Sequence, residues 1–129
     1  MFIDIDQHKP LAAMPQIITY GNELIRFNPS NNHIEVSTSH GMSWYTRCSG
    51  GSLGTIRDLL VFGNEILALT DKGLYVSTSK GASWFCRNSS STVRTFSALA
   101  DGGNELLAPT SDGHLYVSTS KGASWFRRR

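Results

Sequence analysis

Val36-Ser37-Thr38-Ser39-His40-Gly41-Met42-Ser43-Trp44-Tyr45 is a stretch that the chain writes three times. It returns as Val76-Ser77-Thr78-Ser79-Lys80-Gly81-Ala82-Ser83-Trp84-Phe85, and again as Val117-Ser118-Thr119-Ser120-Lys121-Gly122-Ala123-Ser124-Trp125-Phe126. The three tryptophans stand 40 and 41 residues apart. A fixed period of this size signals a repeat architecture, in which one supersecondary unit stacks on the next.

Upstream of each copy lies a second shared signal: Gly21-Asn22-Glu23-Leu24, Gly63-Asn64-Glu65-Ile66 and Gly103-Asn104-Glu105-Leu106. Gly-Asn can supply two residues at positive φ, as a tight hairpin turn demands. Strand-like runs flank it: 16–20 and 23–27, 56–62 and 65–70, 96–100 and 105–108. A polar break follows (Asn28 to Asn32, Asp71 to Gly73, Ser111 to Gly113), then a third strand. His40-Gly41, Lys80-Gly81 or Lys121-Gly122 then turns the chain into a fourth strand that carries the tryptophan. Gly, Pro and Asn interrupt every few residues and no 3.6-residue apolar period survives, so helix is not expected anywhere. Runs without alternation, such as Leu59-Leu60-Val61-Phe62, suit strands covered on both faces. Four strands per 40 residues describe a propeller blade. The expected fold is all-β: three four-stranded antiparallel blades at about 14–48, 55–88 and 95–128 in one partial-propeller domain of 1–129. An N-terminal strand or arm is expected over 1–11, where Phe2 to Ile5 fall in register with a fourth strand.

The repeated box resembles Ser-x-Asp-x-Gly-x-Ser/Thr-Trp, the Asp-box or BNR repeat of sialidases and other β-propellers. The matching positions are Ser37, Ser39, Gly41 and Trp44; Ser77, Ser79, Gly81 and Trp84; Ser118, Ser120, Gly122 and Trp125. The resemblance covers about residues 14 to 128. It implies that the box sits in the turn between the third and fourth strands, as a folding device away from the ligand end. One departure recurs: the aspartate position is serine in every copy, and a serine hydroxyl accepts backbone N–H bonds more weakly. The tryptophan is expected to bury its ring over the hairpin.

Rings have roughly 4 to 8 blades. Three blades alone leave two whole sheet faces uncovered, more than a soluble monomer ordinarily exposes. The third repeat is as apolar as the second (Leu106, Leu107, Leu115, Tyr116, Val117), and no polar cap of the kind a terminal unit needs is visible. The expected partner is therefore the chain itself. A homodimer gives six blades, the sialidase number; a trimer, giving nine, is the alternative.

The chain has 129 residues, 40% hydrophobic and 17% charged, with a formal net charge of +2. That charge is too small to argue for nucleic acid, and Arg127-Arg128-Arg129 reads as a solvated tail. No apolar run approaches the roughly 18 residues of a membrane span. Met1 to Asp6 place acids where a signal peptide needs an apolar core. A cytoplasmic or virion-associated protein is expected, with Cys48 and Cys86 as free thiols.

Candidates for chemistry are few. The resemblance implies, for a sialidase, three arginines on a carboxylate, a tyrosine–glutamate nucleophile pair and an acidic aspartate. Arg57, Asp58 and Arg94 lie on or near inner strands and are the candidate funnel or ligand residues; Arg26 sits on a second strand. They do not occupy matching repeat positions. Glu23, Glu65 and Glu105 recur at strand starts, where turn and edge solvation is the expected role. His8, His33, His40 and His114 lack the short spacing of a metal site. No catalytic residue, metal or cofactor is expected. The function expected is a non-enzymatic binding or assembly module, lectin-like and multivalent. The alternatives are a structural or attachment subunit of a phage or other large assembly, and a sialidase-like hydrolase. Tyr45, Phe85, Phe126, Tyr75 and Tyr116 are candidate sugar platforms, although filling the space between blades is the favoured reading of all five.

Overall fold

Glycine sets where each sheet doubles back. Gly21 (φ 63°) and Gly63 (φ 65°) hold left-handed backbone between the directly paired residues Tyr20 and Glu23, and Phe62 and Glu65. Asn22 and Asn64 do not share that conformation. The turn therefore has its left-handed residue first, the type II′ pattern, rather than the two in succession expected of Gly-Asn. Paired left-handed residues occur instead at the boxes: His40 and Gly41 (58° and 89°), Lys80 and Gly81 (60° and 93°), Lys121 and Gly122 (59° and 95°).

The computed structural model describes residues 16–49 and 51–129. The expected arm over 1–11, His8 included, lies outside them. Blade 1 comprises β1 (Ile17–Tyr20), β2 (Glu23–Asn28), β3 (His33–Ser37) and β4 (Tyr45–Cys48). Blade 2 comprises β5 (Ile56–Phe62), β6 (Glu65–Thr70), β7 (Gly73–Ser77) and β8 (Phe85–Asn88). Blade 3 comprises β9 (Ala100–Asp101), β10 (Leu106–Pro109), β11 (Leu115–Ser118) and β12 (Phe126–Arg127). Each is a four-stranded antiparallel meander in chain order. The fold is all-β and propeller-like, and its blades are the three repeats.

Three details depart from the sequence reading. The fourth strand expected to carry the tryptophan begins one residue after it, at Tyr45, Phe85 and Phe126. The inner strand expected over 96–100 shrinks to β9 plus a single bridge from Phe96 to Thr110. Ser97 N still donates to Pro109 O of β10, but Leu99 N is diverted to the Asp58 carboxylate at 2.7 Å. Helical turns also occur. Gly51–Leu53 and Val93–Thr95 are single 3-10 turns, and each plugs one fully buried side chain, Leu53 or Val93, between two blades.

The core lies between sheets. Ile25, Phe27, Ile34 and Val36 of blade 1 meet Leu53, Ile56, Leu59, Ile66 and Ala68 of blade 2. Leu67, Leu69, Leu74 and Val76 of blade 2 meet Val93, Phe96, Leu99, Leu106 and Ala108 on the blade 3 side. Strand β6 alternates between these clusters, which is why its apolar run shows no polar face.

A repeated polar lacing reinforces both joints. Arg47 grips Glu23 through two bonds (2.7 and 2.9 Å) and also donates to Lys80 O in the box of blade 2. Arg87 repeats this with Glu65 (2.7 and 2.9 Å) and Lys121 O of blade 3. The strand pairing slips at Ile34/Glu35 and at Leu74/Tyr75, which leaves Arg47 and Arg87 as the extra residues. Such bulges re-aim a side chain. Gln16 and Asp58, at equivalent inner-strand positions, bond the next blade's inner strand at Leu59 N and Leu99 N. The recurring glutamates are thus half of an inter-blade clamp, a correction to their expected role in turn solvation. The signal was present in sequence: an arginine stands three residues after each tryptophan.

Glu23 and Glu65 titrate below their ordinary 4.5 because the hydrogen bond from Arg47 or Arg87 favours the carboxylate. A carboxyl depressed in the folded state adds stability above its unfolded value and loses it as pH falls through the folded value. The urea midpoint is therefore expected to hold steady down to about pH 5 and to fall as pH drops below 4.5, the unfolded reference. Arg87→Met should remove the Glu65 share of that acid loss. An unchanged midpoint at pH 3 would contradict the clamp.

The two end faces differ. On blade 1 the outward positions hold Arg26 and Glu35, ion-paired at 2.8 Å, with the Arg26 guanidinium 4.0 Å above the Trp44 ring. The same cross-strand positions are Ala68 and Tyr75 in blade 2, and Ala108 and Tyr116 in blade 3. The expectation that neither end is polar fails at blade 1. It holds at blade 3, where Leu107 and Leu115 are partly exposed although their counterparts Leu67 and Leu74 are fully buried.

Candidate functional site

In an antiparallel meander the strand 1–2 and 3–4 turns share one end, and the 2–3 and 4–1 connections share the other. The boxes occupy the first end. Within each, Ser37, Ser77 or Ser118 accepts the N–H of Gly41, Gly81 or Gly122 at 2.8 Å. Ser39, Ser79 and Ser120, in the aspartate position, accept the N–H of Ser43, Ser83 and Ser124 at 2.9–3.0 Å. Trp44, Trp84 and Trp125 donate their indole N–H to Gly41 O, Gly81 O and Gly122 O. The rings are half-buried, not enclosed.

The other end carries the candidate site, a groove over the joint of blades 2 and 3. Two recesses of about 280 and 350 Å³ adjoin at Thr95. The first is lined by Ser91, Thr92, Thr110, Asp112, His114 and Tyr116. The second is lined by Arg57, Arg94, Phe96, Ser97 and Ser111. One wall is the Val93–Thr95 turn. It is anchored by Phe96, fully buried, whose ring lies 4.8 Å from Trp125 and 5.3 Å from Tyr116.

The facing wall is the β10–β11 loop. Gly113 turns it at φ 92°, Thr110 N donates to His114 O, and Thr110 Oγ1 accepts His114 N at 3.1 Å. Thr110 Oγ1 also donates to the exposed Asp112 carboxylate. That hydrogen bond, with His114 beside it, holds Asp112 below the usual carboxylate range. His114 Nε2 stands 3.8 Å from Asp112 Oδ2. The groove thus runs from a carboxylate and imidazole, past hydroxyls, to guanidinium groups.

Arg57 and Arg94 come together here. Arg57 donates to Arg94 O (2.6 Å) and Phe96 O (3.0 Å), fixing the turn, while Arg94 stands exposed. Asp58 turns away: its oxygens accept Leu59 N and Leu99 N. Arg26 lies apart, on the outer face of blade 1. Tyr75 and Tyr116 pack in the joints, whereas Tyr45, Phe85 and Phe126 are about half-exposed at 49, 49 and 50%. Cys48 and Cys86 are free thiols. Among the described residues, no three His, Cys, Asp or Glu side chains converge on a metal position, and no helix is long and apolar enough to cross a membrane. Sequence reading missed Thr110 and Asp112. Their only signal was the shared place of His33 and His114 just ahead of the third strand.

No protein-family model and no curated protein matches the chain. Solved structures do. The chain is similar to an ancestral GH74 enzyme at 19% identity and TM-score 0.62, over 87% of this chain and 17% of that one. It is similar to YCF48 bound to D1 peptide at 17% identity and TM-score 0.65, over 82% of this chain and 37% of that one. It is also similar to the computationally designed Ika4 protein at 13% identity and TM-score 0.54, over 79% of this chain and 62% of that one. The chain thus spans well under half the length of the first two. At these identities the likeness concerns the fold, and it shows a propeller-like one.

Proposed function

We propose that the chain is a non-catalytic binding module built of Asp-box-type blades, and that the groove over the joint of blades 2 and 3 takes a carbohydrate. One observation carries this reading. The groove is lined by Ser91, Thr92, Thr95, Thr110, Ser97 and Ser111, with the Asp112 carboxylate at one end and Arg94 at the other. Neutral hydroxyls donate to and accept from sugar hydroxyls, a carboxylate accepts from them, and a guanidinium suits the carboxylate of an acidic sugar. A hydrolase reading has less support. Asp58 and Arg57 are committed to backbone groups, and Asp112 has no second carboxylate lining the groove with it.

A glycan array probed with the full chain tests the proposal. Binding is expected to a subset of oligosaccharides, weakened at least tenfold by Asp112→Ala and by Arg94→Ala, since each removes a charged hydrogen-bonding partner. Silence across neutral and acidic glycans would overturn it. A second reading, a structural subunit of a larger assembly, rests on the uncovered apolar face of blade 3; the same silence would favour it.

A further inference from the structure

We propose that the face of blade 3 left uncovered by the described residues docks on the corresponding outer face of blade 1 of a second copy of this chain, in the geometry of the two joints inside it. The inference is independent of what the groove binds.

Each internal joint has three parts. An arginine–glutamate clamp on one blade donates to a carbonyl in the next blade's box, as Arg47 does to Lys80 O and Arg87 to Lys121 O. A buried box glycine presses on the preceding blade: a Cβ on Gly81 would meet Ile34, and one on Gly122 would meet Leu74. Apolar residues of the second and third strands fill the space between.

Among the described residues, blade 3 and blade 1 hold two halves of such a joint that nothing described matches. Blade 3 carries the donor half. Arg128 binds Glu105 through two bonds (2.8 and 3.2 Å), yet no described box follows it. Its side chain is 46% exposed and that of Glu105 is 26%, against 16 and 13% for Arg87 and Glu65. Leu107 and Leu115, the counterparts of the buried Leu67 and Leu74, are partly exposed on the same blade. Blade 1 carries the acceptor half. Gly41 is partly exposed where Gly81 and Gly122 are buried, and among the described residues a Cβ on it would meet its own blade's Leu24 and Trp44 and nothing of another blade. The halves complement one another because each already has its partner type inside the chain.

A joint of this kind is head to tail, so it closes into a ring or runs on as a filament. Two copies supply six blades, within the usual range of roughly 4 to 8. The joint between copies is not identical to those within. It buries Arg26 and Glu35 where the internal joints hold alanine and tyrosine, and desolvating an ion pair opposes association. Self-association is therefore weaker than the internal packing.

Two cysteine variants in a Cys48→Ser, Cys86→Ser background test the joint. One carries Arg128→Cys and the other His40→Cys. Mixed and treated with a short bismaleimide, they are expected to give a cross-linked pair that neither gives alone. In parallel, sedimentation equilibrium of the full chain should show Arg128→Ala weakening self-association roughly tenfold. Arg26→Ala with Glu35→Tyr, which copies blades 2 and 3, should strengthen it by a similar factor. An oligomer that cross-links 128 to 128, or not at all, would overturn the head-to-tail joint. A monomer at every concentration, for the parent and the strengthened variant alike, would overturn self-association itself.

Discussion

Phe96→Ala is expected to cost about 3–5 kcal/mol, the largest effect of any single truncation in the chain. Phe96 is fully buried at the foot of the Val93–Thr95 turn and packs edge-on to Trp125. It belongs to no long strand; its backbone makes one bridge, to Thr110. Its side chain thus anchors the loop between blades 2 and 3, together with Val93 and the Arg57 hydrogen bonds, and with it one wall of the groove. Against a typical stability of about 5–15 kcal/mol, the loss should leave much of the protein unfolded at modest urea. Tryptophan fluorescence against urea measures it. A shift under about 1 kcal/mol would mean that the loop is held by something else.

Gly122→Ala follows, at about 2–4 kcal/mol. Part of this is backbone: Gly122 sits at φ 95°, where a side chain costs about 1–2 kcal/mol. The remainder is steric, because the new methyl enters the space of the Leu74 side chain, which is fully buried and must repack to make room. The same change at Gly41, at φ 89° in the same box, meets only Leu24 and Trp44 at 3.7 and 3.9 Å. It should show the backbone part alone in the monomer. The difference between two chemically identical substitutions isolates what a neighbouring blade contributes. Equal urea midpoints for the two variants would show that the box glycine does not serve the joint.

The fold was legible because it is periodic. Three copies of one turn motif, each with a glycine that the left-handed backbone requires, located the strands of blades 1 and 2 to within a residue or so. Blade 3 was harder to read. The run Phe96 to Ala100 looks like an inner strand, but Leu99 N goes to the Asp58 carboxylate, a partner that no local pattern announces. The clamp was written in the sequence as Arg47, Arg87 and Arg128, one after each box, and Glu23, Glu65 and Glu105, one after each turn. Pairing them requires knowing that a strand bulge aims the arginine back across the sheet. Arg26 and Glu35 illustrate the same limit. Each is an ordinary surface residue in sequence, and only the register that sets them opposite Ala68–Tyr75 and Ala108–Tyr116 in the repeat reveals a blade whose outer face is polar. The groove was legible in Arg57 and Arg94 alone. Thr110, Asp112 and His114 join them through a loop geometry that follows from Gly113, not from any motif.

The proposed head-to-tail joint between copies makes a single prediction for the chain in solution. Sedimentation equilibrium of the full chain at tens of micromolar is the most direct check. A mass of twice the 14.2 kDa of one chain is expected, falling toward the monomer on dilution. A steady 14.2 kDa throughout would contradict the account.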